Sequence, residues 1–439
     1  MLIWSLSKKQ LRLDFLNLRL PLLLVLSLTL TSFVAVICCR HFRKRVDDYH
    51  ARCEYHKTSG DPIYIHRLPQ ALSIFCNGVV LKAPISVAIQ KSTGLGQSPV
   101  KIIERPTDNM LFAQVQYPDI AFVVAIIVGL GAILLGYDSV CGEKERGTLK
   151  LALSNMIPRY KFLFGKLLGN SVGILIVVFL AWVVATVIVV AEPSIALSAN
   201  DFGFIALSCL ASFVYAILCI AIVLLISSIF VSPRLSLITA IAFWVMAVQL
   251  LPLLGPVIAK MLHKAPLHQQ FISAKQTLLT DFLNNLNEEW KKQGSKATTY
   301  GQAMKIFNQV VWDKGKAQWP MEYETLYADY QAKVMKQTDI TGLLCGISPP
   351  VSFQFALSSL CGTSLVSQRH FERRAVDIAR TRISGSAAEA NSTLNLLHKI
   401  ELPPKDRLKN CFAYLAYMLI LAVFSYAMAF VRFSRYDIR

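Results

Sequence analysis

The sequence predicts an all-α polytopic membrane protein with six transmembrane helices, an N-terminal interfacial helix and two extracytoplasmic insertions, the larger of them mainly helical. Three observations predict this fold class. The 439 residues are 54% hydrophobic and only 16% charged, whereas soluble domains carry roughly a quarter charged residues. Six apolar runs are long enough to cross a bilayer, which takes about 20 residues. The short loops between these runs alternate in Lys and Arg content, as they do in multi-pass proteins.

The six apolar runs define the predicted spans. The first run has no small-residue cleavage site behind it, so we expect an anchor and not a removed signal peptide. The second is the shortest, and its Gly129, Gly131 and Gly136 suit close packing of helices. The runs are 20–39, 119–137, 168–191, 204–231, 235–258 and 411–431, so that 168–258 holds three transmembrane helices.

The Lys and Arg residues of the short loops predict the orientation in the membrane. The segment 138–167 and the turn at Arg234 are basic, whereas 192–203 contains neither Lys nor Arg. We therefore expect 138–167 and both chain termini in the cytoplasm, and the segments 40–118 and 259–410 outside. The predicted location is the bacterial plasma (inner) membrane.

One basic stretch, residues 40–45, falls outside in this scheme. It begins a loop of the length at which the Lys/Arg rule weakens, so the short loops decide the orientation. Arg40 and Arg43 are expected to reach along the helix to the lipid headgroups.

The segments between the spans have patterns of their own. Residues 1–19 predict a cytoplasmic amphipathic helix with Leu11, Phe15 and Leu18 on one face. Residues 432–439 are expected to form a cytoplasmic tail. Residues 68–78 suggest an ordered turn that returns to the membrane. The start of 259–410 has an apolar stripe at helical spacing, which we interpret as the core of a small helical domain. The stripe consists of Phe271, Leu278, Phe282, Leu286 and Trp290.

The cysteines leave two readings open. Cys53 with Cys76, or Cys345 with Cys361, could form disulfides if their loops are extracytoplasmic. The alternative is that they are free thiols in the membrane or the core.

The net charge of +18 does not indicate nucleic-acid binding. The basic residues are scattered over span ends and loops and do not form a basic domain interleaved with aromatic residues. Basic cytoplasmic flanks of a membrane protein explain the charge more simply, so we expect no nucleic-acid partner.

The densest charged patch lies between the second and third spans and imitates a nucleotide-binding loop. Gly142 and Gly147 have the glycine spacing of a phosphate-binding loop, which needs a Lys after the second glycine. Here Thr148 follows Gly147 directly. No strand precedes the patch either, because 119–137 is a predicted span. Nucleotide binding at this loop is therefore excluded.

The local sequence predicts a short helix on the membrane face. Gly147 should break the chain, and Thr148 should cap a helix with a hydroxyl that accepts from a backbone N–H near Leu151. Pro158 ends or resets that helix, and a second helix leads into the third span. Such an element, preceded by exposed charges, suits docking of a soluble partner.

At this point the sequence resembles the type-2 ABC exporter permeases. Their loop after the second span has an acidic residue, then Glu-Arg or Glu-Lys, Gly-Thr-Leu, a short helix ending in Ser, Pro-Arg or Ser-Arg, and Gly-Lys. The matching residues here are Asp138, Glu143, Glu145, Arg146, Gly147, Thr148, Leu149, Ser154, Pro158, Arg159, Gly165 and Lys166. "LSIFCNG" in the first outer segment, "SPPVSFQFALSSLCGT" at 348–363 and the closing "RYDIR" also agree. The combination is similar to the subgroup with large outer domains, which includes gliding-motility and nitrous-oxide-reductase maturation permeases.

The resemblance implies a permease subunit of an ATP-binding-cassette exporter that is not itself an enzyme. ATP and magnesium would bind to a separate ATPase subunit docked at 138–166, and no cofactor to this chain. The implied assembly has two ATPase copies and a second permease chain, identical or related, in membrane lipid. Glu143, Glu145 and Arg146 would pair with the ATPase, and Gly147, Thr148 and Leu149 would shape a coupling helix. The full set of implied coupling residues is Asp138, Glu143, Glu145, Arg146, Gly147, Thr148, Leu149, Arg159 and Lys166.

Three alternatives accompany this interpretation. The same charges could form only a solvated loop. The same architecture could transmit ATP-driven motion to the outer segments without passing a substrate. A membrane-anchored hydrolase would need two His one helical turn apart with a carboxylate, whereas His263 and His268 lie five apart in the sequence. Spans this poor in charge argue against a wide hydrophilic pore and favour a lipidic, amphiphilic or transiently enclosed cargo.

Overall fold

The chain is described here from a computed structural model, which covers residues 2–57, 63–78, 86–89, 100–103, 118–154, 158–384 and 402–435. Its first helices are α1 (Leu2–Leu16), α2 (Arg19–Lys57), α3 (Ile120–Gly136), α4 (Cys141–Glu145), α5 (Thr148–Ser154), α6 (Arg159–Val190) and α7 (Ala199–Ile229). They are followed by α8 (Pro233–Val245), α9 (Leu251–Leu262), α10 (His268–Gly294), α11 (Tyr300–Phe307), α12 (Gly315–Gly346), α13 (Pro349–Leu360), α14 (Leu365–Ser384) and α15 (Pro404–Ser434).

Within the described residues, six helical segments are long and apolar enough to cross a membrane, which confirms the predicted fold class. Local chemistry sets several of their ends: the Asp119 side chain accepts from Phe122 N at the start of α3, and Ser198 and Asp201 form a capping box on α7. The fifth span consists of α8 and α9 joined through a π-helical segment, Met246–Leu250. The predicted helix that leads into the third span is confirmed, because one continuous helix runs from Arg159 to Val190 and includes that span.

The first outer segment contains a small sheet that the all-α expectation did not include. Strands β1 (Ile63–His66), β2 (Ser86–Ile89) and β3 (Val100–Ile103) pair antiparallel in the order β1-β2-β3. Ile63 lies opposite Ile89, and Ser86 lies opposite Ile103. The three short strands thus connect separate parts of this segment, with β2 hydrogen-bonded to both β1 and β3.

Part of the second outer segment returns to the helix bundle. Every residue of α13 except Gln354 and Phe355 is buried, and Phe353 stacks on Tyr215 of α7 with the ring centroids 4.7 Å apart. The turn that follows is fixed to the first outer segment, since Thr363 Oγ1 donates to Cys76 O at 2.9 Å. Two of the three sequence stretches that carry the resemblance outside the charged loop therefore pack against each other.

Helices α10, α11 and α12, with the π-helical segment Asn308–Lys314, form an arm with a separate core. Phe282, Leu286, Val310 and Trp319 are buried together there, with Leu278 and Trp290 packed against them. Phe271 is also buried and stacks on Tyr330 at 4.5 Å. The predicted apolar stripe of this segment is thus confirmed as a core. We call these residues, 268–346, the α10–α12 arm.

Cys53, Cys76, Cys345 and Cys361 are free thiols, and the last three are buried. The free-thiol reading of these cysteines therefore describes the structure.

Candidate functional site

The charged loop, residues 138–166, lies at one end of the bundle and contains α4, α5 and the first residues of α6. Gly147 separates α4 from α5 with φ of +71°, and a Cβ built there would meet nothing within 4 Å. The glycine is therefore needed for its left-handed backbone and not for space. The predicted chain break at this residue is confirmed.

Two residues attach the loop to the bundle by burial and by helix capping. The Leu149 side chain is fully buried and belongs to the main core. Lys144 Nζ donates to the backbone oxygens of Ser228 at 2.5 Å and Phe230 at 3.3 Å. These carbonyls terminate α7, where a cation is favoured. Lys144 is not among the implied coupling residues. Its contacts make it a structural anchor of the loop.

Glu143 pairs within the chain. Its Oε1 lies 2.9 Å from Lys166 Nζ, and its Oε2 accepts from Thr148 Oγ1 at 2.8 Å. Lys166 is largely buried and also donates to Gln10 Oε1 at 2.9 Å. One carboxylate thus joins α4 to α5 and α6, and through Lys166 to α1. The predicted cap at Thr148 is wrong, because its hydroxyl donates to Glu143 and α5 already begins at this residue.

Asp138 makes the second internal ion pair. Its two carboxylate oxygens accept from Arg19 at 2.9 and 2.8 Å, and Arg19 also donates to the Tyr137 hydroxyl at 3.2 Å. Bidentate pairs of this kind fix geometry as well as contributing energy. Since α2 begins at Arg19, this pair ties the start of the first span to the end of the second.

Helix α1 docks on α6 through a polar face. Ser7, Gln10 and Asp14 are buried, and Ser7 Oγ donates to Gly165 O at 3.1 Å. A Cβ at Gly169 would lie 2.8 Å from Gln10 Cβ, so only glycine lets the helices approach this closely. The contact places Gln10 beside Lys166.

The outward side of α1 carries the exposed basic residues Lys8, Lys9 and Arg12 together with apolar residues. Trp4, Phe15 and Leu16 are exposed, which agrees with an interfacial helix whose apolar side faces lipid. Leu18 is not on that face as expected, because it lies in the break before α2 with φ of +59°.

Burial raises the pKa of Asp14 to about 6, even though the hydrogen bond from Gln10 and the positive charge of Arg19 favour its ionised form. Gln10 Nε2 lies 3.3 Å from both oxygens of this carboxylate. The Gln10 amide therefore connects Asp14 to Lys166, and so connects α1 to the charge network of the loop.

Glu145 and Arg146 differ from their neighbours because both are exposed. Neither side chain forms a hydrogen bond or ion pair with any residue in the described part of the chain. Lys150 and Leu151 of α5 are exposed beside them in sequence, Leu151 to 67%. We call Glu145, Arg146, Lys150 and Leu151 the loop surface. It combines both signs of charge with one large apolar side chain on a backbone that is held from behind.

Arg159 has a different position from the rest of the implied set. Its guanidinium donates to the backbone oxygens of Phe433 and Ser434, the last carbonyls of α15. Arg159 therefore joins the beginning of the third span to the end of the last one and does not contribute to the loop surface.

The structure divides the predicted coupling residues into two groups. The inward or anchoring group consists of Asp138, Glu143, Leu149, Arg159 and Lys166; the outward group consists of Glu145, Arg146, Gly147 and Thr148, of which Thr148 also binds Glu143. Sequence reasoning missed Arg19 and Gln10. The sequence feature that could have indicated Arg19 is its position as a single Arg at the border of the first apolar run. The Lys/Arg rule does not single it out, because that rule concerns the charge of whole loops.

The described residues contain no group of three or more His, Cys, Asp or Glu side chains that could hold a metal ion. The spans and the loop together define a multi-pass membrane protein with a charged loop at one end of its bundle. Residues 30–438 match the family model for the ABC-2 family transporter protein, and the chain belongs to that family. It is thus a permease subunit of an ABC transporter, a class of membrane subunit that works with an ABC ATPase. No curated protein matches the chain. Helix α1 lies outside the matched residues.

Proposed function

We propose that this chain is the permease subunit of an ATP-driven exporter and that the ATPase subunit docks on the loop surface. ATP and magnesium bind to that partner, which performs the hydrolysis. The orientation that this requires places the charged loop and both termini in the cytoplasm of a cell with a bacterial plasma membrane. The position of positive charge in the short loops supports that orientation.

The observation that carries the proposal is the contrast between Glu143 and Glu145. The first is paired with Lys166 inside the chain, whereas the second is exposed and unpaired among the described residues. A loop that merely solvates its charges does not need a buried leucine and a network of directed hydrogen bonds behind it. A firmly held loop with two free charges of opposite sign suits a complementary protein surface.

The same contacts provide a route for mechanical coupling. A displacement of α4 acts on α6 through Glu143 and Lys166, and on α2 through Asp138 and Arg19. Both bonds are charge-assisted and therefore directional. ATPase movement at the loop surface would reach two spans without passing through the apolar core.

The working assembly in this proposal has two permease chains and two ATPase chains. In the span formed by α8 and α9, 11% of the most apolar 18-residue stretch is buried within the chain. The corresponding value for the span that begins with α3 is 72%. The fifth span thus presents the largest uncovered face to lipid or to another helix. We propose that a second permease chain, identical or related, packs on this face.

Replacement of Glu145 tests the docking proposal. Glu145→Lys should insert normally but lose ATPase association, since loss of a desolvated intermolecular pair costs roughly 2–5 kcal/mol. Glu145→Ala should have a smaller effect. The measurements are co-purification of the ATPase and its stimulated ATP turnover.

Glu288→Lys is the matched control, because Glu288 is an exposed acid on the α10–α12 arm. Lys144→Ala is unsuitable as a control, since Lys144 binds the carbonyls at the end of α7. Unchanged association for Glu145→Lys would remove the docking assignment.

A second candidate function is the transmission of force to the outer segments without substrate passage. The α10–α12 arm favours it, because α12 runs as one helix for 32 residues from the arm core to the buried α13. Vesicle transport assays and crosslinking of the arm through the ATP cycle separate the two. Arm movement without accumulation of any cargo supports force transmission.

A further inference from the structure

We propose that the chain binds the phosphate group of an anionic amphiphile in a cavity at the end of α9. The cavity has a volume of about 720 Å³, which lies in the usual range of roughly 300–1,000 Å³ for ligand sites. Its walls come from α12, from α14, from the end of α9 and from the linker between α9 and α10. This end of the fifth span is opposite the charged loop, since Ser236 at the beginning of α8 donates through its Oγ to the carbonyl of Tyr137, the residue that directly precedes the loop.

The walls are held in place by specific contacts. Gln337 Nε2 donates to His263 O at 2.9 Å, which fixes the linker to α12. Arg369 of α14 pairs with Asp339 of α12 at 2.8 Å. Polar and ionic contacts between separate elements thus shape the cavity, and it is not a gap left between loosely packed helices.

The lining is cationic. Lys260, Lys264 and Arg369 line the cavity, against a single lining carboxylate, Glu372. Arg369 is already paired with Asp339, and Glu372 accepts a hydrogen bond from Gln368 at 3.0 Å. The ammonium groups of Lys260 and Lys264 make no ion pair or hydrogen bond with any described residue. Two ammonium groups are therefore free for an anion, and lysine binds phosphate as a point charge.

The surroundings of the two lysines select an amphiphile. Within a turn of Lys260, α9 exposes Met261 to 77% and Leu262 to 67%. A phosphate headgroup in the cavity would place its apolar chains beside Met261 and Leu262, at the end of the span. Basic pockets at the ends of transmembrane helices bind anionic lipid headgroups in this manner. Lysines that only extend to the membrane surface would not require a cavity whose walls are joined by polar and ionic contacts.

Binding to the purified chain in phosphatidylcholine nanodiscs tests the inference without any ATPase, so its outcome is separate from that of the docking proposal. The probes are dihexanoyl phosphatidylglycerol, dihexanoyl phosphatidylcholine and inorganic phosphate, each followed by titration calorimetry. We expect the phosphatidylglycerol to bind and the double variant K260Q/K264Q to weaken its binding at least about tenfold, as loss of two charge-assisted contacts implies.

Two variants make the test specific. K291Q/K292Q removes two exposed lysines from the end of α10, outside the cavity lining, and should leave binding unchanged. K260R/K264R keeps both charges and should retain it. Weaker binding of inorganic phosphate than of phosphatidylglycerol supports a lipid headgroup, whereas equal binding of the two supports a free phosphate and overturns the amphiphile. Equal binding of both lipids, or full binding by K260Q/K264Q, overturns the site.

Discussion

The two ends of this molecule are held by different forces. At the charged loop, a bidentate pair and a buried Lys166–Glu143 contact join four helices at defined atoms. In the α10–α12 arm, Phe282 and Trp319 pack in a separate core, and Tyr323 and Tyr327 stack nearby at 5.9 Å. Polar contacts are directional and fix a geometry, whereas apolar burial contributes stability with little directional demand. The loop is suited to passing on a displacement, and the arm to keeping its shape.

The largest expected effect comes from Trp319→Ala in the arm. The Trp319 side chain is only 1% exposed, and truncation of a core Trp costs about 3–5 kcal/mol. Hydrogen exchange should accelerate over 268–346 while ATPase co-purification stays unchanged. The matched control is Trp312→Ala, since Trp312 is 38% exposed. Loss of ATPase association in Trp319→Ala would show that the two ends do not act independently.

Lys166→Ala should come next and should have the opposite pattern. The substitution leaves Glu143 without its cation. Removal of one partner of a buried ion pair lowers the free energy of unfolding by roughly 3 kcal/mol or more. Because Glu143 is partly exposed, we expect a value at the lower end of this range. The melting temperature should fall and stimulated ATP turnover should be lost, with arm hydrogen exchange unaffected. Lys161→Ala, on the same helix, serves as the control. Normal turnover in Lys166→Ala would mean that the Glu143 contact does not carry coupling.

Asp14 gives the loop end a pH dependence that the arm should not share. The pKa of about 6 in the folded protein lies above the ordinary 3.8, so the folded state binds this proton more tightly. The stabilisation is therefore complete below about pH 4 and is lost as pH rises through 6, amounting to at most about 3 kcal/mol. Hydrogen exchange of 2–16 at pH 5 and pH 8 measures it. Asp14→Asn should abolish the difference; a persistent difference would assign the dependence to another group.

The smallest effect is expected for Gly147→Ala. The left-handed backbone at Gly147 costs an alanine about 1–2 kcal/mol, so α5 should shift and ATPase affinity should fall several-fold. Gly203→Ala is the control, because that site is equally open but does not have a positive φ. Equal ATPase binding by both variants would indicate that the loop surface tolerates a change in the path of its backbone.

The contrast also shows what a sequence of this kind reveals. The six spans could be predicted because each is a continuous apolar run, and the break at Gly147 because only glycine readily adopts that backbone. The different roles of Glu143 and Glu145 could not be predicted, because the two residues differ in their contact with Lys166. Lys166 pairs with Glu143 and not with Glu145, and it lies 23 positions from Glu143 in the sequence. Gln10 contacts Lys166 across 156 positions, a distance at which no local pattern operates. The burial of α13 could not be predicted for the same reason, because Tyr215 of α7, on which Phe353 stacks, is distant in sequence.

The bond from Arg159 to the carbonyl of Ser434 spans 275 positions, and it has a consequence for biosynthesis. The ribosome completes the charged loop long before α15, so for most of translation Arg159 has no carbonyls to bind. The beginning of α6 reaches its final attachment only when the last span has entered the membrane. A nascent or truncated chain without α15 therefore lacks one of the contacts that hold the charged loop in place.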